Sequence, residues 1–277
     1  MSTASTTRLT LPLTALFAVC FVAPLCVLVA LSLAAGPDGG VATIGHYAAF
    51  VGDRFNASIL FDTLWLGVKA TLVCLLFGFP VAWICARAHV RWQSVLIFLV
   101  VLPILTSVVV RTFSWIVILG RHGLLNQIVL GLGLADEPLR LLYSEAGVII
   151  VLAQVQMPLM VLPILTVLSR IDSNLFDASQ ALGAGQWRTL WRVAVPLSMP
   201  GIIAGCILTY AASITAFVTQ TLIGGARLIY MPLFIYQQAV GANNWPFAAA
   251  ISVIFMVAVL VVVAVLNGFG RRFEKHV

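Results

Sequence analysis

The passage Leu175-Phe-Asp-Ala-Ser-Gln-Ala-Leu-Gly-Ala-Gly-Gln-Trp-Arg-Thr-Leu-Trp-Arg-Val-Ala-Val-Pro-Leu-Ser-Met-Pro-Gly201 is polar and patterned, and it lies between two long apolar stretches. Just upstream, Asp172-Ser173-Asn174 offers N-cap side chains, and Asp177 in the first turn suits the positive end of a helix. Ala178, Ser179 and Ala181 are small, so a partner could approach this helix closely, and Gly183 supplies its C-terminal cap or a turning point. A second short helix is expected over 186–193, with Trp187 and Trp191 on one face and Arg188 and Arg192 on another. Pro196 and Pro200 bracket the entry to the next apolar stretch. Two short helices at nearly a right angle would present a knob to solvent, which a mere connector does not require.

The surrounding composition says what kind of protein carries such a knob. Apolar residues make up 62% of the chain and charged residues only 9%, more apolar character than a soluble globule of this length needs for its core. A bilayer core takes about 20 apolar residues as helix. Six stretches qualify, at about 11–35, 63–86, 94–119, 146–168, 199–223 and 247–269. They read as helices because lipid offers backbone groups no water, and the alternation of a membrane barrel is absent. The expected fold is therefore an all-α integral membrane protein, one transmembrane domain over 1–277 with no soluble domain. The first span is too long for the apolar core of a secretory signal, although Ser32-Leu33-Ala34 could pass for a cleavage site.

Orientation follows from the basic residues. With the N-terminus inside, Arg8, Arg87, Arg91, Arg170, Arg188, Arg192, Arg271, Arg272 and Lys275 fall on the cytoplasmic side, against Arg54, Arg121, Arg140 and Arg227 outside. That bias of nine to four predicts both termini in the cytoplasm. The net charge of +6 then reflects topology, and no basic patch interleaved with aromatics points to nucleic acid. The 169–198 loop becomes cytoplasmic, while the segments 36–62, 120–145 and 224–246 become external, with a short amphipathic piece expected near 124–134. The five cysteines lie within spans and lack metal-ligand spacing, so they read as small packing residues.

The spacing Asp177-Ala178-Ser179-x3-Gly183-x9-Val193-x-Val195-Pro196 resembles the signature loop of ABC importer permeases, Glu-Ala-Ala-x3-Gly-x9-Ile-x-Leu-Pro. The departures keep charge, size or apolar character. Further motifs, including Val109-Val110-Arg111-Thr112-Phe113-Ser114-Trp115, Gly120-Arg121-x-Gly123-Leu124-Leu125-Asn126, Pro196-Leu197-Ser198-x-Pro200-Gly201-Ile202 and Asn244-Trp245-Pro246-Phe247, resemble the spermidine/putrescine subgroup. The resemblance implies a type I ABC importer permease of MetI-like fold in the bacterial inner membrane, with a peripheral first helix (11–35) and core helices over 63–269. It implies that the 169–198 loop is the coupling loop, with Asp177, Ala178, Ser179, Gly183, Arg188 and Pro196 at or near an ATP-binding cassette ATPase dimer. It further implies a second permease subunit, forming a heterodimer, and a periplasmic or extracellular solute-binding protein. The chain is then a transport subunit, with no catalytic residue, cofactor or metal of its own. ATP and Mg are used by the partner ATPase, in keeping with the lack of a Gly-x-x-x-x-Gly-Lys-Ser/Thr loop.

Polar residues within the spans are candidates for the pathway. Ser107, Arg111 and Ser114 share one helical face, a candidate for the pore or for a subunit interface. A charge at membrane depth costs about 2.5–3.5 kcal/mol on insertion scales unless it meets protein or water. Thr209, Ser213, Phe217 and Gln220 fall within one arc of the fifth span, with Phe217 a possible gate, and Gln154 and Gln156 add amides in the fourth. Such groups also hydrogen-bond neighbouring helices without further role. Lys69, near an outer end, is expected to snorkel. A polyamine would be expected to meet carboxylates or aromatic faces, yet the spans hold Lys69 and Arg111 and no central acid. Importers of opines, phosphonates, iron or amino-acid-like solutes share this architecture, so these solutes stay open beside polyamines. An ion-coupled secondary transporter would need an intramembrane acidic relay, and an intramembrane enzyme a catalytic cluster; neither is present in the spans.

Overall fold

The computed structural model describes residues 3–34 and 43–274. Regular structure among them is entirely helical: α1 (Thr3–Ser32), α2 (Gly45–Gly52), α3 (Arg54–Arg87), α4 (Val90–Val101), α5 (Val108–Leu119), α6 (Leu124–Gly131), α7 (Glu145–Leu168), α8 (Ser173–Ala181), α9 (Gln186–Thr189), α10 (Val195–Ile214), α11 (Phe217–Gly224), α12 (Met231–Tyr236) and α13 (Trp245–Glu274). Among the described residues five helical stretches are long and apolar enough to cross a bilayer, and a sixth arises if the bent pair Phe217–Arg227 and Met231–Gly241 counts as one span. The expected spans 63–86, 146–168 and 247–269 fall within α3, α7 and α13. Residue 35 of the first span, 36–42 of the first outer segment, and Lys275 of the basic tail lie outside the described residues.

Two expected spans are not continuous. In 94–119 the helix tightens into a 3₁₀ turn at Leu102–Leu105 and then extends through Thr106 (ψ 147°) and Ser107 (ψ 133°) before α5 begins. Pro103 has no N–H to give the helix, and Thr106 Oγ1 donates to the Pro103 carbonyl, so the break closes on itself. In 199–223, α10 stops at Ile214, and α11 starts anew at Phe217 after Ala216 (ψ 64°). Here Thr215 Oγ1 donates to the Ala211 carbonyl at 2.8 Å, and the Gln220 amide donates to the carbonyls of Ser213 (2.8 Å) and Ile214 (3.2 Å). Carbonyls at a helix end that cannot reach water need such donors.

A third departure lies before Pro196. The helix expected over 186–193 is not separate, because α9 passes through a π turn at Leu190–Ala194 directly into α10. A proline inside a helix crowds the carbonyl four residues back, and the wider π turn, in which Val195 N–H reaches the Leu190 carbonyl, gives Pro196 room.

The chain forms two compact units, Met1–Ser58 with Phe234–Ala258 and Ile59–Leu233 with Val259–Val277. In the first, Ser32 Oγ and Tyr47 OH share a 2.6 Å hydrogen bond, and His46 Nε2 meets the Ala34 carbonyl at 3.0 Å. In the second, α7 is the central helix. Its side chains are predominantly apolar on every face, and it buries Val148, Val151, Leu152, Met160, Val161, Ile164 and Leu165 against its neighbours.

α7 and α10 approach each other closely at Gly201-x-x-x-Gly205. A Cβ on Gly201 would stand 2.8 Å from the Pro163 carbonyl oxygen, and one on Gly205 would stand 3.0 Å from that of Met160. Small residues four apart let helices touch along their backbones, where packing rather than water exclusion drives association in lipid. Gly67 and Gly78 of α3 make comparable room for Tyr210 and Ile214 and for Met160. Replacing Gly201 by Leu is predicted to lower the melting temperature of the purified chain, at a cost of about 1–3 kcal/mol from overpacking. An unshifted melting temperature would remove this contact from the account.

Candidate functional site

The 169–198 loop is organised around α8. Asp172 caps it, its carboxylate accepting from Asn174 N–H at 3.0 Å. The other end is a Schellman turn: Gly183 N–H donates to the Gln180 carbonyl and Ala184 N–H to that of Ser179, with Gly183 at φ +78°. The expected capping role of Gly183 is therefore what its backbone performs. Asp177 and Ala178 point to solvent, as do Leu175 (48% exposed) and Leu182 (89%). Leu175, Ala178 and Leu182 share a face, giving α8 an uncovered apolar stripe flanked by a carboxylate. Arg188, Trp187 (74%) and Trp191 (63%) are exposed on the adjoining turns, and Pro196 is half-buried where α10 begins.

The opposite face of α8 is anchored. Ser179 Oγ and Thr189 Oγ1 lie 2.9 Å apart and tie α8 to α9. Phe176 meets Trp83 edge-on at 5.7 Å, and the Arg87 guanidinium lies over both rings, 4.3 Å from Trp83 and 4.6 Å from Phe176. α8 is thus clamped to the end of α3 while α9 runs unbroken into α10. Phe176, Trp83 and Arg87 escape a sequence reading because nothing local marks residues about ninety positions apart as neighbours. The Gly201/Gly205 pair, by contrast, is visible as a small-x-x-x-small pattern.

The two helix breaks line a single cavity of about 480 Å³ together with α7, bounded by Ile104, Val108, Arg111, Gln156, Thr215 and Phe217 among others. Of the residues expected along the pathway, Arg111 and Phe217 reach it, as does Gln156. Ser107 and Ser114 are exposed on α5, the latter returning its hydroxyl to the Val110 carbonyl. Gln154 accepts a hydrogen bond from Trp115 Nε1 at 3.0 Å. Thr209, Ser213 and Gln220 are buried inside the unit, and the break at Thr215–Ala216 separates them from the single arc expected for a continuous helix. Gln220 acts as the cap of α10. Lys69 does not merely snorkel, since its Nζ donates to Glu145 at 2.6 Å and links α3 to the start of α7.

Outside the spans, 124–134 contains the expected short helix, α6, which ends in its own Schellman turn at Gly133 (φ +67°). Asn126 pins this segment: its amide donates to the Gly120 and Leu139 carbonyls and accepts from Leu139 N–H.

Comparison with known proteins bears on what these features do. The family model described as binding-protein-dependent transport system inner membrane component matches residues 4–277. The chain is 34% identical over 235 residues to the spermidine/putrescine transport system permease protein PotB of Haemophilus influenzae, covering 85% of this chain and 82% of that one. It is 32% identical over 237 residues to the protein of the same name from Escherichia coli, covering 86% of each. A solved bacterial ABC transporter involved in the import of the acidic polysaccharide alginate superposes with a TM-score of 0.77 over 96% of this chain and 94% of that chain. At 17% identity that likeness is one of fold.

The aromatic clamp on α8 yields a direct expectation. Phe176→Ala removes about 1–2 kcal/mol of ring and cation–π contact. Hydrogen exchange at the amides of 176–182 should then accelerate roughly tenfold if opening is local, while exchange in α7 stays unchanged. Unaltered exchange at α8 would show that the clamp does not hold it.

Proposed function

The chain belongs to the family of binding-protein-dependent transport system inner membrane components, and from that membership we propose that it carries polyamines of the spermidine/putrescine type. It is the transmembrane permease subunit of an ABC importer, a transport component and not an enzyme. Hydrolysis of ATP, with Mg, belongs to a partner ATPase dimer. A solute-binding protein delivers cargo on the outer side, and a second, different permease subunit completes the pathway. Both termini face the cytoplasm, in keeping with the bias of basic residues. The polyamine reading is supported by the names and identities of the relatives.

The single observation that best supports coupling is α8 itself. It offers an uncovered apolar stripe and the Asp177 carboxylate on one side, while Phe176 fixes its other side to α3. Its continuation through α9 joins α10, which lines the cavity at Ala212. In this reading the stripe with Asp177, Ala178 and Gly183 fits a groove of the ATPase, with Arg188 at its margin, while Ser179, expected at the contact, ties α8 to Thr189 behind it. Closure of the ATPase pair on ATP draws α8 inward. The rigid run from Gln186 through Pro196 to Ile214 transmits that motion to the break at Thr215, opening the cavity to alternate sides.

Gly183 separates docking from folding. No atom lies within 4 Å of a Cβ placed there, so a side chain would project into the space reserved for the ATPase. Asn tolerates the left-handed conformation, whereas Val opposes it by roughly 1–2 kcal/mol. Both Gly183→Asn and Gly183→Val are predicted to leave membrane insertion intact, reduce co-purification of the ATPase and abolish putrescine uptake by cells. Uptake at the wild-type rate in both variants would refute the coupling role.

A further inference from the structure

We propose that Arg111 is held, in the assembled importer, by a carboxylate from a membrane-spanning helix of the second, different permease subunit. The inference rests on the reading that two permease subunits enclose the pathway. It adds the contact that joins them.

Arg111 is the one charged side chain lining the cavity. Its Nη2 donates to the Thr106 carbonyl at 3.4 Å, and its Nε and Nη1 are buried without an acceptor. The α7 residues opposite, Val155 to Leu159, lie midway along Glu145–Leu168, so the charge stands near the centre of the bilayer. Nothing else in the cavity offsets it. The starts of α5 and α11 both border the cavity, neither is capped by a side chain, and helix starts carry positive potential. The carbonyls at the end of α10 that would oppose them are occupied by Thr215 and Gln220.

Charges at this depth pair with one another, with backbone carbonyls or with water in a cavity, and Arg111 has only its 3.4 Å contact to the Thr106 carbonyl. A passing solute is present only in transit, so it leaves the guanidinium unpaired between turnovers. Among the described residues no acid is placed to supply the partner, Glu274 being the last residue of α13. Along α7 the nearest acid is Glu145, ten residues from Val155 and about 15 Å away by helical rise. It is already engaged by Lys69. Asp53 and Asp62 sit at the start of α3, Asp136 and Glu137 precede α7, and Asp172 and Asp177 belong to the 169–198 loop. No acid occurs in α4, α5, α10 or α11. A second copy of this chain would bring the same set and another Arg111.

The surface around Arg111 is suited to a neighbouring helix. On α5, Val108, Val109, Val110 and Phe113 are between 41% and 62% exposed, and Ser107 and Ser114 are exposed beside them. A helix of the second subunit laid on this face would bring its carboxylate to Nη2, with a rotation of the side chain freeing Nε or Nη1 for a bidentate pair. The pair would also neutralise a cavity that, as it stands, repels a polyammonium solute.

The test uses the complete importer expressed from its own gene cluster, with a photoreactive benzoylphenylalanine at Val110 or, separately, at Ser114. Illumination and mass spectrometry should identify a peptide of a non-identical permease that carries Asp or Glu within an apolar span. Arg111→Glu should lower putrescine uptake roughly thirtyfold or more, Arg111→Lys should retain most of it, and exchanging the cross-linked acid for Arg should rescue Arg111→Glu. Four results would overturn the proposal. Cross-linking to a second copy of this chain would also remove the two-subunit reading beneath it. A cross-linked span without an acid, or no cross-link to another permease from either position, would remove the ion pair alone. An Arg111→Gln importer that assembles normally but shows an altered KM for putrescine would assign the guanidinium to the solute instead.

Discussion

Within a bilayer every backbone N–H and C=O must find its partner inside the protein, and the architecture of this chain follows from where it breaks that continuity. It does so in α4–α5 and in α10–α11, and both breaks open onto the same cavity against α7. The cost is contained by short-range donors: Thr106 to Pro103, Thr215 to Ala211, and Gln220 across the gap to Ser213 and Ile214. Broken helices placed around one space give the chain backbone freedom at the cavity proposed as the solute pathway. The rest of the unit stays tightly packed, with α10 drawn onto α7 by Gly201 and Gly205.

The same constraint makes the proposed coupling through a small loop mechanically sound. A flexible connector would dissipate displacement, but α8 is capped at both ends, tied to Thr189, and clamped by Phe176 between Trp83 and Arg87. From Gln186 to Ile214 the chain is helical without interruption, the π turn absorbing Pro196. In the proposed coupling, displacement of α8 would reach the Thr215 break as a rigid lever would carry it.

Much of this was legible in the residues and some was not, for identifiable reasons. The helical spans followed from apolar length, and the cap at Gly183 followed from glycine's tolerance of the left-handed region, since both depend on local sequence. The breaks at Pro103–Ser107 and Thr215–Ala216 were hidden because the flanking residues remain apolar, and hydropathy registers transfer to lipid rather than hydrogen-bond continuity. That masking made Thr209, Ser213, Phe217 and Gln220 look like one stripe, when Gln220 turns back to cap α10 and only Phe217 of the four borders the cavity. Lys69 likewise looked like a snorkelling residue because its partner Glu145 is 76 positions away. Contacts of that separation leave no periodic trace.

On the proposed coupling, this chain moves its solute only when driven by an ATPase docked on α8. The most direct measurement is uptake of radiolabelled putrescine by proteoliposomes holding the complete importer, with the binding protein on one side and ATP with Mg on the other. The account predicts uptake that requires the binding protein and hydrolysable ATP together and is indifferent to imposed ion gradients. Uptake at the same rate without ATP, or uptake driven by a proton or sodium gradient, would contradict it.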